Sequence, residues 1–322
     1  MAARVKIDTQ ASTAKHRYQV RNWSEYDRAL VNRGSLTVWF DEQSIAQGWT
    51  PPRPKGRGKP GSYSDLAIQT CLTIKTLFRL PYRATEGLVR SLMGLCGLAL
   101  PVPDHTHMSR RAATLSAAIP RRKRNGPIHV VVDSTGLKIF GEGEWKVRQH
   151  GVGKRRTWRK IHLAVDESAK DIIGVEVTTA DWGDSEVFAP LLDQVEGEVS
   201  QVSADGAYDT EGTHAAIAER GARATIPPRE GAVPWGEDHP RDAILNEIAA
   251  KGRSGWKNDS GYHRRSLAEN MMYRLKQLGD RLYSRTFERQ VTEAHVRAAI
   301  INQFTYLGMP DSVRVGQIAP AA

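Results

Sequence analysis

Between residues 128 and 226 the chain alternates apolar, β-branched runs with two helical stretches, and the order of these segments limits the fold more than any other feature. Residues 128–132 (IHVVV) are apolar apart from His129 and lead into Asp133-Ser134-Thr135-Gly136, which reads as a strand delivering an acid to its C-terminal end. Residues 137–140 continue as strand or turn. Residues 161–165 and 172–179 are two further strands joined through a turn at 166–171, which makes a meander. Residues 184–195 read as a helix, 200–204 as a strand ending in a second acid, Asp205, then 209–220 as a helix and 222–226 as a short strand. Three antiparallel strands, a crossover helix and then parallel strands imply a mixed α/β layer structure in which the fourth strand returns beside the first. Asp133 and Asp205 then share one edge of the sheet on neighbouring strands, where ligands of open α/β sheets bind.

Residues 227–260 form a polar, Gly/Pro-rich insertion with one helical patch near 243–250. After it comes YHRRSLAENMMYRLK (262–276), with Tyr262, Arg265 and Lys276 at offsets of −7, −4 and +7 from Glu269. At about 100° per residue these offsets return to nearly one azimuth, so an α-helix here carries a carboxylate flanked by a phenol and two cations on one face. Residues 292–307 form a further helix expected to pack the back of the sheet.

Asp133, Asp205 and Glu269 are three hard oxygen donors, which suit Mg²⁺ or Mn²⁺ and not zinc. Two such ions about 4 Å apart clamp the attacking and leaving oxygens of a phosphodiester in an in-line displacement. Asp133 is placed to bridge both ions, with Asp205 and Glu269 each holding one. Arg265 and Lys276 suit nearby phosphates, and Tyr262 suits a phosphate or a stacked base. Taken singly, each acid has a plainer reading, as a turn former or a solvated helix glutamate. Asp166 illustrates this, because it ends a strand only to open the turn into an adjacent antiparallel strand. Trp256, just ahead of the 262–276 helix, reads as a core residue more readily than as a support for a displaced base.

Charge divides the chain. The whole carries +10, but residues 1–127 carry +13 and residues 128–322 carry −3. A basic front half attached to a near-neutral back half fits a module that grips a polyanion. Within it, residues 1–20 read as a loose tail, and PPRPKGRGKPG (51–61) sets Arg53, Lys55, Arg57 and Lys59 on a backbone that holds neither helix nor strand. That segment suits a minor groove or a phosphate backbone, or is only a basic surface linker. A helix capped by Ser64, a break at Pro81, a helix over 85–95 and another opened by Asp104 or Thr106 form a helix-turn-helix pattern. Its last helix offers His105, His107, Ser109, Arg110 and Arg111 to DNA. The 141–160 excursion adds seven basic residues between Lys146 and Lys160, Arg156 among them. Cys71 and Cys96 lie in apolar surroundings outside any Cys-x-x-Cys pair, so reduced thiols are expected. The longest apolar stretch, 88–100, contains Arg90 and is too short for a bilayer. With no apolar run near the start to serve as a signal peptide, a cytoplasmic protein is expected.

DSTGLKIFGEGEWKVRQHG (133–151), RRTWRKIHLAVD (155–166), SADGAYDT (203–210) and the 262–276 segment together resemble the bacterial insertion-sequence transposases of the DDE type, specifically insertion-sequence family five. Residues 262–276 match that family's Y-x2-R-x3-E-x6-K signature without departure. The resemblance covers nearly the whole chain. It implies an RNase H-like catalytic domain over 128–322, preceded by a mainly helical DNA-binding region over 1–127. It further implies Asp133, Asp205 and Glu269 as the catalytic triad, with Mg²⁺-dependent cleavage at element ends and strand transfer into target DNA. Double-stranded DNA, both terminal inverted repeats and target, is then the expected partner. A homodimer in the synaptic complex and residence at the nucleoid are expected as well.

Overall fold

A computed structural model of the chain describes residues 16–52, 61–123, 125–140, 158–236 and 239–317. The basic segment carrying Arg53, Lys55, Arg57 and Lys59 lies outside the described residues, as do Trp145, Lys146, Arg156 and their neighbours between 141 and 157. By contacts the chain divides into two compact units, one of Met1–Ser35 with Tyr306–Ala322 and one of Leu36–Thr305.

In the smaller unit, strand β1 (His16–Val20) precedes helix α1 (Trp23–Asn32) and pairs antiparallel with the strand formed by Ser312–Gln317. Residues 16–20 are therefore a strand and not loose tail. Their ladder partners lie almost 300 residues away, beyond the reach of any local pattern. The Asn22 side chain fastens the two ends by donating to the Met309 carbonyl (3.0 Å) and accepting from the Asp311 N–H (2.7 Å).

The larger unit begins with helices α2 (Leu36–Trp39), α3 (Glu42–Gly48), α4 (Asp65–Leu77), α5 (Tyr82–Leu95) and α6 (His105–Arg111). The expected cap is present: the Ser64 hydroxyl accepts from the Ala67 N–H (3.1 Å) and donates to the Gly48 carbonyl (2.5 Å). Asp104 caps α6 by accepting from the Thr106 and His107 N–H groups. Trp49, Ile74, Val89 and Met108 form one buried cluster among these helices.

The sheet follows. Strands β2 (Ile128–Ile139), β3 (Trp158–Asp166) and β4 (Ile172–Thr179) form the meander. Helix α7 (Phe188–Asp193) leads to β5 (Val199–Ser203), and α8 (Glu211–Glu219) to β6 (Arg223–Thr225). The order is β4-β3-β2-β5-β6, antiparallel across β4-β3-β2 and parallel across β2-β5-β6, as the segment order predicts. The stretch expected as one helix over 184–195 is split, with a 3₁₀ turn over Ser185–Val187 and the α-helix beginning at Phe188.

Three further expectations change. β2 does not stop at 132: it runs to Ile139, because β3 pairs with it out to Lys138 and a two-residue strand, β7 (Arg281–Leu282), pairs at its far end. The 227–260 insertion is more than half helix, since α9 (Pro240–Asp259) fills its second part, with a kink at Gly252 (φ 74°) that only glycine adopts freely. The 262–276 segment is not one α-helix either. Tyr262–Arg265 is a 3₁₀ turn, and α10 starts at Ser266 and ends at Gln277.

α10 packs on β2 and β3. Helix α11 (Phe287–Leu307) covers β4: Asn302 donates to the Ile172 carbonyl and accepts from its N–H, at 2.8 and 2.7 Å. The strand Ser312–Gln317, now β8, closes the described chain. Val296 and Ile300 of α11 share a cluster with Ile68, Leu72, Ala112 and Leu115, so the front helices and the sheet layer are parts of one packed body. Burying such side chains stabilises by about 1.5–3 kcal/mol each. No helix among the described residues is long and apolar enough to cross a membrane.

Candidate active site

Parallel pairing between β2 and β5 runs in register to Val131 opposite Ser203. Two positions further along stand Asp133, still inside β2, and Asp205, just past the end of β5. β5 has ended there, so Asp205 turns into a 3₁₀ segment and its carboxylate accepts from the Ala207 N–H (2.9 Å). Asp133 remains inside the longer β2 and accepts from the Ser134 N–H (2.9 Å). The acid expected at a strand end therefore sits mid-strand, beside the point where its parallel neighbour stops.

Glu269 arrives from the first turn of α10, where a carboxylate also suits the helix dipole. Arg265 joins the two elements, with one guanidinium nitrogen 3.1 Å from Asp133 Oδ2 and the other 2.5 Å from Glu269 Oε1. Arg265 and Asp133 are largely buried, while the Glu269 side chain is 53% exposed. Burial pushes the Asp133 carboxyl above the usual carboxylate range. The Ser134 N–H and Arg265 oppose that shift, and the Asp205 and Glu269 charges add to it. Asp133 thus feels the charge of both other acids.

Tyr262 lies with its ring 5.9 Å from the Arg265 guanidinium, 5.2 Å from the Lys257 ammonium and 5.8 Å from the Trp256 ring. The 3₁₀ turn brings Tyr262 to Arg265 by a tighter winding than the α-helical spacing implied. Trp256 is 1% exposed, in keeping with a core residue. Lys276 stands two turns beyond Glu269, half-buried and without a hydrogen-bond or ion-pair partner among the described residues.

The other cations are placed differently. Lys160 on β3 donates to the Trp182 carbonyl (2.8 Å) and to Asp184 (3.2 Å), and the Ser134 hydroxyl donates to the same Asp184 oxygen (2.9 Å). Asp184, missed in the sequence, is thereby a neighbour of the Asp133 strand; no spacing signal marks it. Arg111 is held by Asp65 and the Tyr63 carbonyl, while Arg110 is exposed on α6. His105 Nδ1 donates to the Glu86 carboxylate at 2.9 Å, and His107 packs edge-on against Tyr63. Arg57 and Arg156 lie outside the described residues.

Among the described residues no three His, Cys, Asp or Glu side chains stand close enough to hold one ion, since Arg265 lies between Asp133 and Glu269. The donor set still fits a hard dication. It is all oxygen, it carries three negative charges, and a single exchangeable guanidinium compensates two of them.

Two protein-family models match the chain. A model described as a transposase DDE domain matches residues 124–303, and a second with the same description matches residues 31–142. The mixed sheet with helices ahead of it is consistent with the RNase H-like architecture of such a domain, and DDE domains generally use divalent metal ions. Matched over more than half of its 322 residues by a single model, the chain belongs to the DDE transposase family.

Proposed function

We propose that the protein is the transposase of an insertion sequence of family five: it binds the terminal inverted repeats, cleaves at the element ends and joins the freed 3′-hydroxyl to target DNA. The observation that carries this reading is Arg265 bridging Asp133 and Glu269 beside Asp205. Asp133, Asp205 and Glu269 would hold two Mg²⁺ or Mn²⁺ ions, whose chemistry when bound is Lewis-acid activation of water and of the scissile phosphate. Arg265, exchanged from the carboxylates, donates to a phosphate oxygen of the cut strand, and Lys276 donates further along that strand. Tyr262, partly sheltered against Trp256, orients a phosphate or supports a base. The front helices, with Arg110 exposed, take the element end, and the uneven charge supplies a salt-dependent grip. Two ends must meet, so a homodimer on DNA is expected, in the cytoplasm at the nucleoid.

The test supplies precut element ends and a target plasmid. Joined products from the wild type, with Asp133→Asn and Glu269→Gln each reducing joining by about 10²–10³-fold or more while end binding persists, support the reading. Cleavage without joining would make the protein a nuclease of the same fold, and joining by Asp133→Asn would overturn the site.

A further inference from the structure

A second concave site lies away from the three acids. A cleft of about 600 Å³ opens where the C-terminal end of α4, the turn into α5, the segment after β7 and one stripe of α11 come together. Its lining includes Lys75, Arg79, Arg285, Arg289 and Arg297 against a single acid, Glu293. That acid is already spent. Arg297 holds it at 2.7 Å, and the Tyr283 and Ser284 N–H groups donate to it at 3.1 and 2.9 Å. Among the described residues none of the other four cations pairs with a carboxylate. Arg79 donates to the Gln277 carbonyl (3.0 Å) and Arg289 to the Ser109 carbonyl (2.7 Å), both neutral acceptors. Among the described residues Lys75 has no hydrogen-bond partner, and it rests 5.0 Å from the Tyr82 ring. Burial lowers its proton affinity, with Arg297 adding to that effect and Glu293 opposing it.

An unpaired cation drawn out of water beside other cations is unfavourable unless an anion completes the site. Arg79 adds a second sign of construction: it occupies a left-handed conformation (φ 52°) at the end of α4, where glycine is the ordinary choice. The walls also carry Tyr82 and Tyr283, the latter against Phe140 with centroids 5.2 Å apart and the rings tilted by 32°. Phosphate-binding cations beside aromatic faces match a nucleotide, and a cleft of this size admits one nucleotide and not a duplex.

We propose that this cleft binds one unpaired nucleotide, its phosphate on Lys75 and Arg289 and its base against Tyr82 or Tyr283. The placement rests on the transposase reading. Leu278 at the cleft lies nine residues beyond Glu269, about 13 Å along the helix axis. A strand leaving the acids past Lys276 covers that distance in about four nucleotide steps at 3.4 Å each. The same chemistry would take a free nucleotide, so the source has to be tested directly.

The experiment uses the full chain and reads binding and melting, never cleavage. Fluorescence anisotropy compares a blunt duplex with the same duplex carrying a four-nucleotide single-stranded overhang, and dAMP is titrated in a melting assay. The wild type should prefer the overhang by roughly 10-fold or more. That preference should vanish in Lys75→Met and in Arg289→Gln. Lys75→Met should melt at the same or a higher temperature, since it removes an unpaired sheltered charge, so lost preference with intact melting is not misfolding. Melting raised by dAMP in the wild type but not in the variants, without an overhang preference, assigns the cleft to a free nucleotide. A preference retained in both variants, or a wild type that answers to neither probe, overturns the proposal. A chain that never joins DNA yet passes this test loses the transposase reading and keeps the cleft.

Discussion

Two arginines in this molecule each grip carboxylates, and their surroundings give them opposite uses. Arg265 is shared between Asp133 and Glu269 at a partly exposed edge. Arg241 is 3% exposed and holds Asp209 with two bonds of 2.8 Å, while His214 stands 3.2 Å from the same carboxylate. The Trp235 ring lies 4.1 Å from the Arg241 guanidinium, which joins the insertion to the start of α8. Both sites use the same ions. The buried one has its cation and acid fully paired and serves as a latch. The exposed one has a single cation between two acids and a third acid alongside, so its charges are exchangeable.

The sharpest break in that comparison is Arg241→Met. It leaves Asp209 buried without its main partner, and loss of one member of a buried pair costs about 3–5 kcal/mol. Denaturant unfolding should show that loss, and a change under about 1 kcal/mol would mean that the latch is ornamental. Arg265→Gln should cost less, about 1 kcal/mol, because the Glu269 end of its pairing is exposed and Asp133 keeps the Ser134 N–H. Its effect should appear in joining of precut ends, read in the same assay as the triad variants. The smallest expected effect is in pH. Burial alone pushes the Asp209 carboxyl up, but the bonds and charges of Arg241 and His214 outweigh it and hold the carboxyl below its ordinary value. A depressed acid stabilises above its unfolded pKa of about 3.9 and loses that contribution as pH falls through the folded value. The Asp133 carboxyl is shifted up, with the opposite sign: ionised near neutral pH it is unfavourable, and stability is regained on protonation. Melting curves of Asp209→Asn and Asp133→Asn between pH 3 and 7 should diverge accordingly.

Much of the fold was legible because the β-branched runs are short, well separated and ordered in a way that admits few topologies. The three candidate acids stood out because strand-end acids and a helical acid among cations are uncommon together. The decoy Asp166 was also read correctly: it accepts from the Ser168 and Ala169 N–H groups, as a turn former does. Errors arose where the determining partner is remote. The full length of β2 depends on β3 and on β7, the strand at 16–20 depends on residues 312–317, and the insertion helix is anchored through Arg241 to Asp209. The 3₁₀ turn at Tyr262 likewise escaped a rule that assumes constant winding.

The sequence by itself determined the element order, the uneven charge, the three acids and the cations expected around them, because these follow from local pattern and residue chemistry. Only the tertiary structure decided that Arg265 rather than Lys276 lies between the acids, that Asp184 engages Lys160, and that cations from positions 75 to 297 line one cleft. Those outcomes depend on which distant side chains share a burial site, and charge in a shared, desolvated space is a property of packing that no window along the chain contains.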